Sequence, residues 1–433
     1  MREEYTGIPQ DIKSFFSEEY GKTLLIKGTP GSGKTVFALT LLSTLKGNGA
    51  YLSTRVDAAS LYLHHPWIKD EISAANIIDA TQSERDRVEK STEVTFKPLR
   101  YTTVPEFLKA VYSRTERMEN PIVIIDSWDA IASYTGFYEQ REREKLEHNL
   151  CDFSRKTKTK IMLLVEYTGQ TELDYLVDGV ILVENDLYEG RRIRRMVLQK
   201  LRGCQVTNPV RLFSLNQGIF KAFTEFKGLN QDYNALPAPD PLPDPGPAGI
   251  STGIKALDRV IGGYGCFNLV EGDYRPYEFL ARSLSINSLN RGMRLILTTP
   301  KQSEFVKQVY PSVKQEYCAN VELVEAIENL KACASGDRAV ILLNLEEVAD
   351  LHRTVEELLC LSNEQGIITI CYGGRESVNG KDLSTVTSVH IKTKEIAGIP
   401  CFYGEQPRTE LYALELEPGS RASLPDLALT PIV

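Results

Sequence analysis

The segment Gly28-Thr29-Pro30-Gly31-Ser32-Gly33-Lys34-Thr35 satisfies the pattern G-x-x-x-x-G-K-[ST], and no other feature of the chain restricts its fold so tightly. It follows an apolar run, TLLIK, and precedes a run of helical length, VFALTLLSTL. Glycines let the backbone wrap close to phosphate, and its N–H groups together with the helix N-terminus then hold the anion. All eight residues are therefore candidates for binding ATP. Lys34 is expected to neutralise the β- and γ-phosphates, and Thr35 to ligate Mg²⁺. A Gly-rich turn that matches by chance is the competing reading, and the strand and helix flanks speak against it.

A phosphate loop of this kind demands a parallel sheet, and the chain supplies one twice. Apolar runs at 23–26, 50–53, 122–125, 161–165, 179–183 and 193–201 alternate with helix-like stretches at 35–45, 104–117 and 142–155. The alternation returns with strand-like runs at 295–298, 339–345 and 367–372 and a helical stretch at 348–363. Thr6-Gly7-Ile8 is echoed by Thr252-Gly253-Ile254, and each is followed by a strand ending in Gly, at Gly28 and Gly272. This points to an internal duplication. A length of 433 residues, about three times a ~150-residue domain, fits two such copies. Between them Pro occupies every second position from Pro237 to Pro247, a run that can neither propagate a helix nor donate to a sheet. The expected organisation is a nucleotide-binding domain at 1–236, a semi-rigid Pro-rich linker at 237–248 and a second domain at 249–433. A Pro-rich partner-binding motif is the alternative for the linker.

Charge and cysteine usage narrow the class. Fifty Lys and Arg against 58 Asp and Glu give a net charge of −8, which argues against a protein that coats nucleic acid indiscriminately. The eight Cys contain no C-x-x-C pair and no nearby His to complete a zinc set, so reduced thiols in a cytoplasmic protein are expected. No stretch approaches the roughly 18 apolar residues that cross a bilayer, so no membrane is expected.

The run PIVIIDSWDAI places Asp126 at the end of a strand, where a nucleotide-bound Mg²⁺ needs a second carboxylate partner. Asp126 is the candidate Walker B residue; a strand-end Asp that caps the next turn is the plain alternative, and the reading for Asp129. Together with the phosphate loop and the strand RRMVLQKLRG at 194–203, it resembles the KaiC-type branch of the RecA-superfamily ATPases. Within that branch the segments YLSTRV at 51–56 and His65-Pro66-Trp67 are most similar to the P-loop family of the archaeal gas-vesicle regulator GvpD. The resemblance implies an α/β fold of tandem RecA-like P-loop domains with largely parallel central sheets, a homo-oligomer, and a regulatory ATPase whose partner would be a transcriptional regulator protein.

One departure bears on catalysis. The resemblance implies an adjacent Glu pair after the second strand, one of which polarises the attacking water, and Arg55 and Val56 stand there instead. Arg cannot accept a proton. Asp57 or Glu166 is the candidate substitute, and slow hydrolysis is expected. Residues 186–202 carry six basic side chains, Arg191, Arg192, Arg194, Arg195, Lys200 and Arg202, against Asp186 and Glu189. Lys200 and Arg202, two apart on a strand, project together; the resemblance implies that they act on a neighbouring subunit's nucleotide. Contact of Arg191 to Arg195 with DNA or RNA, as in a recombinase-paralogue-like accessory ATPase, is the alternative, and a solvated turn or a contact with an acidic protein is the third reading. A phosphotransferase is a further class, though the sequence names no acceptor.

The second half keeps the opening segment of such a domain but reads Glu271-Gly272-Asp273-Tyr274-Arg275-Pro276-Tyr277-Glu278-Phe279 where a phosphate loop should follow. Glu278 stands at the lysine position and Phe279 at the hydroxyl position, and the matching Walker B strand ends at Asn344. A degenerate pseudo-ATPase domain is expected.

Overall fold

The computed structural model describes residues 7–17, 20–45, 49–53, 57–79, 112–113, 115–134, 140–225, 238–247, 249–298, 302–324, 329, 338–348, 350–374, 383, 386–416 and 427–433. The helical stretch expected at 104–117 falls largely outside them. The chain divides into two compact units, residues 1–224 with Val433, and residues 225–432.

In the first unit the strands are β1 (Thr23–Lys27), β2 (Gly49–Ser53), β3 (Ile77–Asp79), β4 (Ile122–Asp126), β5 (Lys160–Val165), β6 (Gly179–Tyr188), β7 (Arg191–Leu201), β8 (Val210–Ser214) and β9 (Lys221–Ala222). They form one sheet in the order β3-β2-β4-β5-β1-β6-β7-β8-β9. Pairing is parallel from β3 to β6 and antiparallel from β6 to β9. The helices that matter here are α1 (Gln10–Ser17), α2 (Lys34–Leu45), α3 (Ala58–His64), α4 (Trp128–Tyr134), α5 (Gln140–Thr157) and α6 (Glu172–Leu176).

Parallel strands covered on both faces read as unbroken apolar runs, and β1 shows why. Leu24 and Ile26 pack with Phe15, Phe37 and Leu41 in one cluster, whereas Leu25 packs with Val123, Trp128 and Leu150 in the other. Every residue of β1 is buried. This two-sided core holds rigid the strand end from which the glycine-rich loop departs.

The second unit repeats the plan. Its strands are β10 (Phe267–Gly272), β11 (Arg294–Leu297), β12 (Val321–Leu323), β13 (Ala339–Asn344), β14 (Ile368–Gly373), β15 (Val389–Ile396), β16 (Ile399–Gln406), β17 (Tyr412–Leu416) and β18 (Leu427–Pro431). Their order, β12-β11-β13-β14-β10-β15-β16-β17-β18, matches the first sheet strand for strand, with the same switch from parallel to antiparallel. Helix α7 (Lys255–Ile261) precedes β10 and α8 (Tyr274–Asn290) follows it.

Residues 238–247 lie along α8: the Leu242 N–H donates to Asn287 Oδ1 (2.7 Å), Asn290 Nδ2 donates to the Pro239 carbonyl (3.3 Å), and Asp244 pairs with Arg291. Proline lacks a donor but keeps its acceptor, and the residues between prolines supply the donors. Such a segment can be docked through alternate residues.

Candidate functional site

The glycine-rich loop leaves the carboxyl end of β1, where the strand order reverses between β5 and β6, the crevice in which open α/β sheets bind ligands. Glycine is required at Gly28 by close approach of backbone and at Gly33 by its backbone conformation. Gly28 has φ +155° and a Cβ there would lie 2.3 Å from the Val183 carbonyl and 2.7 Å from Ser32 Oγ. Gly33, at φ +106°, would press a Cβ to 2.8 Å from Leu215. Helix α2 begins at Lys34, so its N-terminus points at the loop.

Lys34 is buried, and its Nζ donates to the carbonyls of Gly28 and Thr29, both at 2.8 Å. The ammonium thus rests on the loop's own oxygens. Thr35 Oγ1 donates to Asp126 Oδ2 at 2.6 Å. The fully buried Tyr51 hydroxyl donates to the same oxygen at 2.8 Å, and burial followed by the Asp126 charge pushes its pKa well up. Ser32 Oγ is fully buried and has no hydrogen-bond partner among the described residues. The residues present fit Mg·ATP: the loop is a backbone cradle with an orphaned hydroxyl, and Thr35 with Asp126 offers the oxygen ligands that a hard cation takes.

The candidate water-activating carboxylates are placed differently. Asp57 caps α3, its Oδ1 accepting from the Ser60 N–H at 2.7 Å, and these bonds to Ser60 hold its carboxyl below the usual range. Arg55 and Val56 lie outside the described residues. Glu166 directly follows β5, which lies between the loop strand β1 and the Asp126 strand β4. Its N–H donates to Asp129 Oδ2 (3.2 Å), and Asp129 also pairs with Arg143 (2.8 Å). Asp129 thereby braces α4, α5 and the end of β5.

Lys200 and Arg202 sit toward the other end of the sheet. Lys200 is opposite Val180, which is opposite Leu25, three residues before Gly28 and so roughly 10 Å short of the loop. Lys200 Nζ donates to the carbonyls of Asp174 (2.8 Å), Tyr175 (3.2 Å) and Val177 (2.7 Å), a cation at the C-terminus of α6. Arg202 donates to the Tyr175 carbonyl (3.1 Å) and lies 3.4 Å from Asp178. Neither faces the loop of its own chain.

The arginines of β7 do not form one exposed patch. Arg192 is exposed, Arg195 pairs with Glu184 and Asp186 at 3.5 Å, and Arg191 is buried, donating to the Glu189 carbonyl. Arg194 is buried against the phosphate loop: its Nη1 donates to the Ser32 carbonyl at 2.9 Å and the Gly31 carbonyl at 3.3 Å. Burial, and then Arg192, pull its pKa down to about 10. Sequence reasoning assigned Tyr51 and Arg194 no role at the loop. A buried tyrosine in the run GAYLS does signal a hydroxyl in need of a partner, but which partner depends on β2 lying beside β4.

In the second unit the equivalent crevice is closed. Gly272 keeps the close approach of Gly28, at φ +126° with a Cβ 2.1 Å from the Thr393 carbonyl. Yet α8 starts at Tyr274, with only Asp273 between, whereas six residues separate β1 from α2. Positions 274–279 are wound into helix, so Glu278 and Phe279 occupy no loop at all. Tyr277 stacks on Tyr372 (centroids 4.2 Å apart), with Tyr274 edge-on to Tyr372 (5.6 Å). Asn344 ends β13 as Asp126 ends β4.

Residues 12–199 match the family model described as GvpD gas vesicle protein, P-loop domain. Protein GvpD1 of Halobacterium salinarum is 29% identical over 317 residues, covering 70% of this chain and 56% of its own length. Protein GvpD2 of the same organism is 30% identical over 261 residues, covering 59% of this chain and 52% of its own length. The chain spans about half the length of the curated relatives it matches.

Proposed function

We propose, from the match of residues 12–199 to the GvpD P-loop domain, that the first unit binds one Mg·ATP at Gly28 to Thr35 and uses it to switch self-assembly or contact with a protein partner. The observation that carries this reading is the cradle itself: a Lys34 ammonium held on loop carbonyls, and a Thr35–Asp126 pair closed on itself at 2.6 Å. In this reading Lys34 would neutralise the β- and γ-phosphates, and Thr35 and Asp126 would hold Mg²⁺, which would supply further charge neutralisation. Adenine-nucleotide exchange thus breaks and remakes contacts joining β1, α2 and β4, which is what a switch requires.

Turnover is slow in this reading. Arg55 and Val56 replace the Glu pair of the KaiC-type branch, and the Asp57 carboxyl is already engaged as a helix cap. Glu166, at the carboxyl end of the strand between β1 and β4, is the remaining candidate. The partner class that the family suggests is a transcriptional regulator, with repression as the output. Buried or paired arginines on β7 favour this over a DNA-coating accessory ATPase. Equilibrium titration with a non-hydrolysable ATP analogue is expected to give one site per chain, abolished by Lys34→Ala. A stoichiometry near two, or binding that survives Lys34→Ala, overturns the proposal.

A further inference from the structure

We infer that Arg194 is a positioning residue for the phosphate loop: it reaches across from β7, gathers the carbonyls of Gly31 and Ser32 on one side, and so turns the loop amide of Gly33 toward the phosphate. The inference rests on the reading that this loop accepts a nucleotide.

The geometry follows from the peptide bond. In a planar trans peptide the C=O and the N–H point in opposite directions. Arg194 Nη1 takes the Gly31 oxygen, which belongs to the peptide carrying the Ser32 N–H, and the Ser32 oxygen, which belongs to the peptide carrying the Gly33 N–H. Both N–H groups are therefore directed away from the guanidinium. The Ser32 N–H closes a turn onto the Thr29 carbonyl (3.2 Å). The Gly33 N–H has no backbone partner of this kind among the described residues, and it stands beside the N-terminus of α2. Gly31 and Gly33 have positive φ and wide conformational freedom, so their peptides would otherwise rotate. A single buried donor that fixes two consecutive peptide planes removes that freedom before the ligand arrives.

Arg194 can do this because of where the β6–β7 hairpin runs. It is opposite Asn185, three residues beyond Leu182, the partner of Lys27 at the end of β1. The side chain therefore emerges beside the loop and not beside the strand. Arg192, two residues along, lies toward the hairpin tip and is exposed. The two share a face of the strand, so it is the rise between them that leaves one arginine beside the loop and the other in solvent.

The test is the affinity of a fluorescent ADP, titrated without metal into the full chain. Wild type is expected to bind. Arg194→Ala is expected to weaken binding about tenfold to a hundredfold, the range for losing hydrogen bonds from a charged donor. Arg194→Lys, which keeps one charged donor, should fall between the two, and Arg192→Ala should stay within about twofold. Tens of millimolar guanidinium chloride should restore part of the affinity of Arg194→Ala, which a general loss of packing would not allow. Hydrogen exchange should rise in the peptide spanning Gly28 to Thr35 while β1 stays protected. Equal ADP affinity in wild type and Arg194→Ala overturns the inference and leaves the nucleotide reading standing. Failure of wild type to bind any adenine nucleotide overturns both. If Arg194→Ala and Arg194→Lys both unfold in far-UV melts, the side chain is structural and the positioning role is refuted.

Discussion

Replacing Asp174 by Asn should cost the first unit about 3 kcal/mol and expose how the loop strand is anchored. Lys27, the last residue of β1, is fully buried, and its Nζ pairs with Asp174 Oδ1 at 2.6 Å, with the Asp174 side chain only 13% exposed. Removing one partner of a buried pair costs about 3–5 kcal/mol because the other charge is left uncompensated. Two features move the figure. Asp174 Oδ2 also accepts from the Thr171 N–H and hydroxyl, each at 2.9 Å, and an amide cannot replace all of these bonds. In the other direction the Tyr167 ring, 5.8 Å from the Lys27 ammonium, still offers it a π face, worth roughly 0.5–2 kcal/mol. The balance lies near the lower end of the range, and for a unit of this size about 3 kcal/mol corresponds to a fall in Tm of roughly 6–12 °C. The pH dependence has a definite sign. Burial pushes the Asp174 carboxyl up, but its bonds to Lys27 and Thr171 outweigh that and hold it below its ordinary value. Its contribution is full above the unfolded pKa of about 4 and is lost as pH falls through the lowered folded value. Calorimetric melts of wild type and Asp174→Asn should therefore converge below pH 4, while Lys27→Met with Asp174→Leu, which removes the stranded charge but also gives up the Thr171 bonds, should recover part of the loss at pH 7. A single variant within 2 °C of wild type at pH 7 would refute the reasoning, as would a double variant no better than the single.

Tyr51→Phe keeps the buried ring and removes one of two donors to Asp126 Oδ2, so it should raise the Mg²⁺ concentration needed for half-maximal ATP binding by about tenfold, on the order of one charged hydrogen bond; an unchanged Mg²⁺ titration would dismiss Tyr51 from the site. Steady-state phosphate release should lie well below the ordinary median of about 10 s⁻¹, and Glu166→Gln should lower it by about 10²-fold or more while Asp57→Asn, which disturbs a helix cap, leaves it nearly unaltered. Turnover at the median, or the reverse pattern in the two variants, would show that the wrong carboxylate has been chosen. Since Lys200 and Arg202 face away from their own loop, a role at phosphate requires a second chain. Mixing Arg202→Ala chains with Lys34→Ala chains should then restore some phosphate release, and a monomeric mass with ATP and no complementation would remove the shared-site model.

The parts of the site legible in the sequence are those whose geometry is local. Lys34 and Thr35 are placed by six residues of loop and the first turn of a helix, and Asp126 by the end of an apolar strand, so spacing alone points to them. The duplication was legible too, because Gly28 and Gly272 mark equivalent strand ends; both sheets now show the same strand order. What could not be read depends on sheet neighbours far apart in the chain. Tyr51 reaches Asp126 because β2 pairs with β4, and Arg194 reaches Ser32 because β6 pairs with β1 and returns as β7. The six basic residues of 186–202 read as one cluster in sequence, but an extended hairpin spreads them from beyond the loop down to the level of Thr23, where the Arg202 N–H meets the Asp178 carbonyl. Strand rise is what separates Arg194, beside the loop, from Arg202.

The second unit shows the same dependence from the opposite side. An ungapped comparison sets Glu278 against Lys34 and Phe279 against Thr35, as though a loop had merely exchanged its side chains. The chain has instead extended the helix backward to Tyr274, and that single change removes more than any substitution could. Helix formation directs the backbone amides of 278–279 into the helix's own hydrogen bonds, so those two positions no longer donate to a loop, and Arg275 and Tyr277 stand where the loop has Gly31 and Gly33. The space left over the strand ends is taken by Tyr277 on Tyr372, where Tyr372 stands opposite Asn344 as Leu164 stands opposite Asp126. An aromatic stack there contributes about 0.5–1.5 kcal/mol beyond its buried area. A loop that must stay open for phosphate forgoes such packing. The two copies thus divide between them the two uses of one strand end, with packing satisfied in the second and the anion cradle kept in the first.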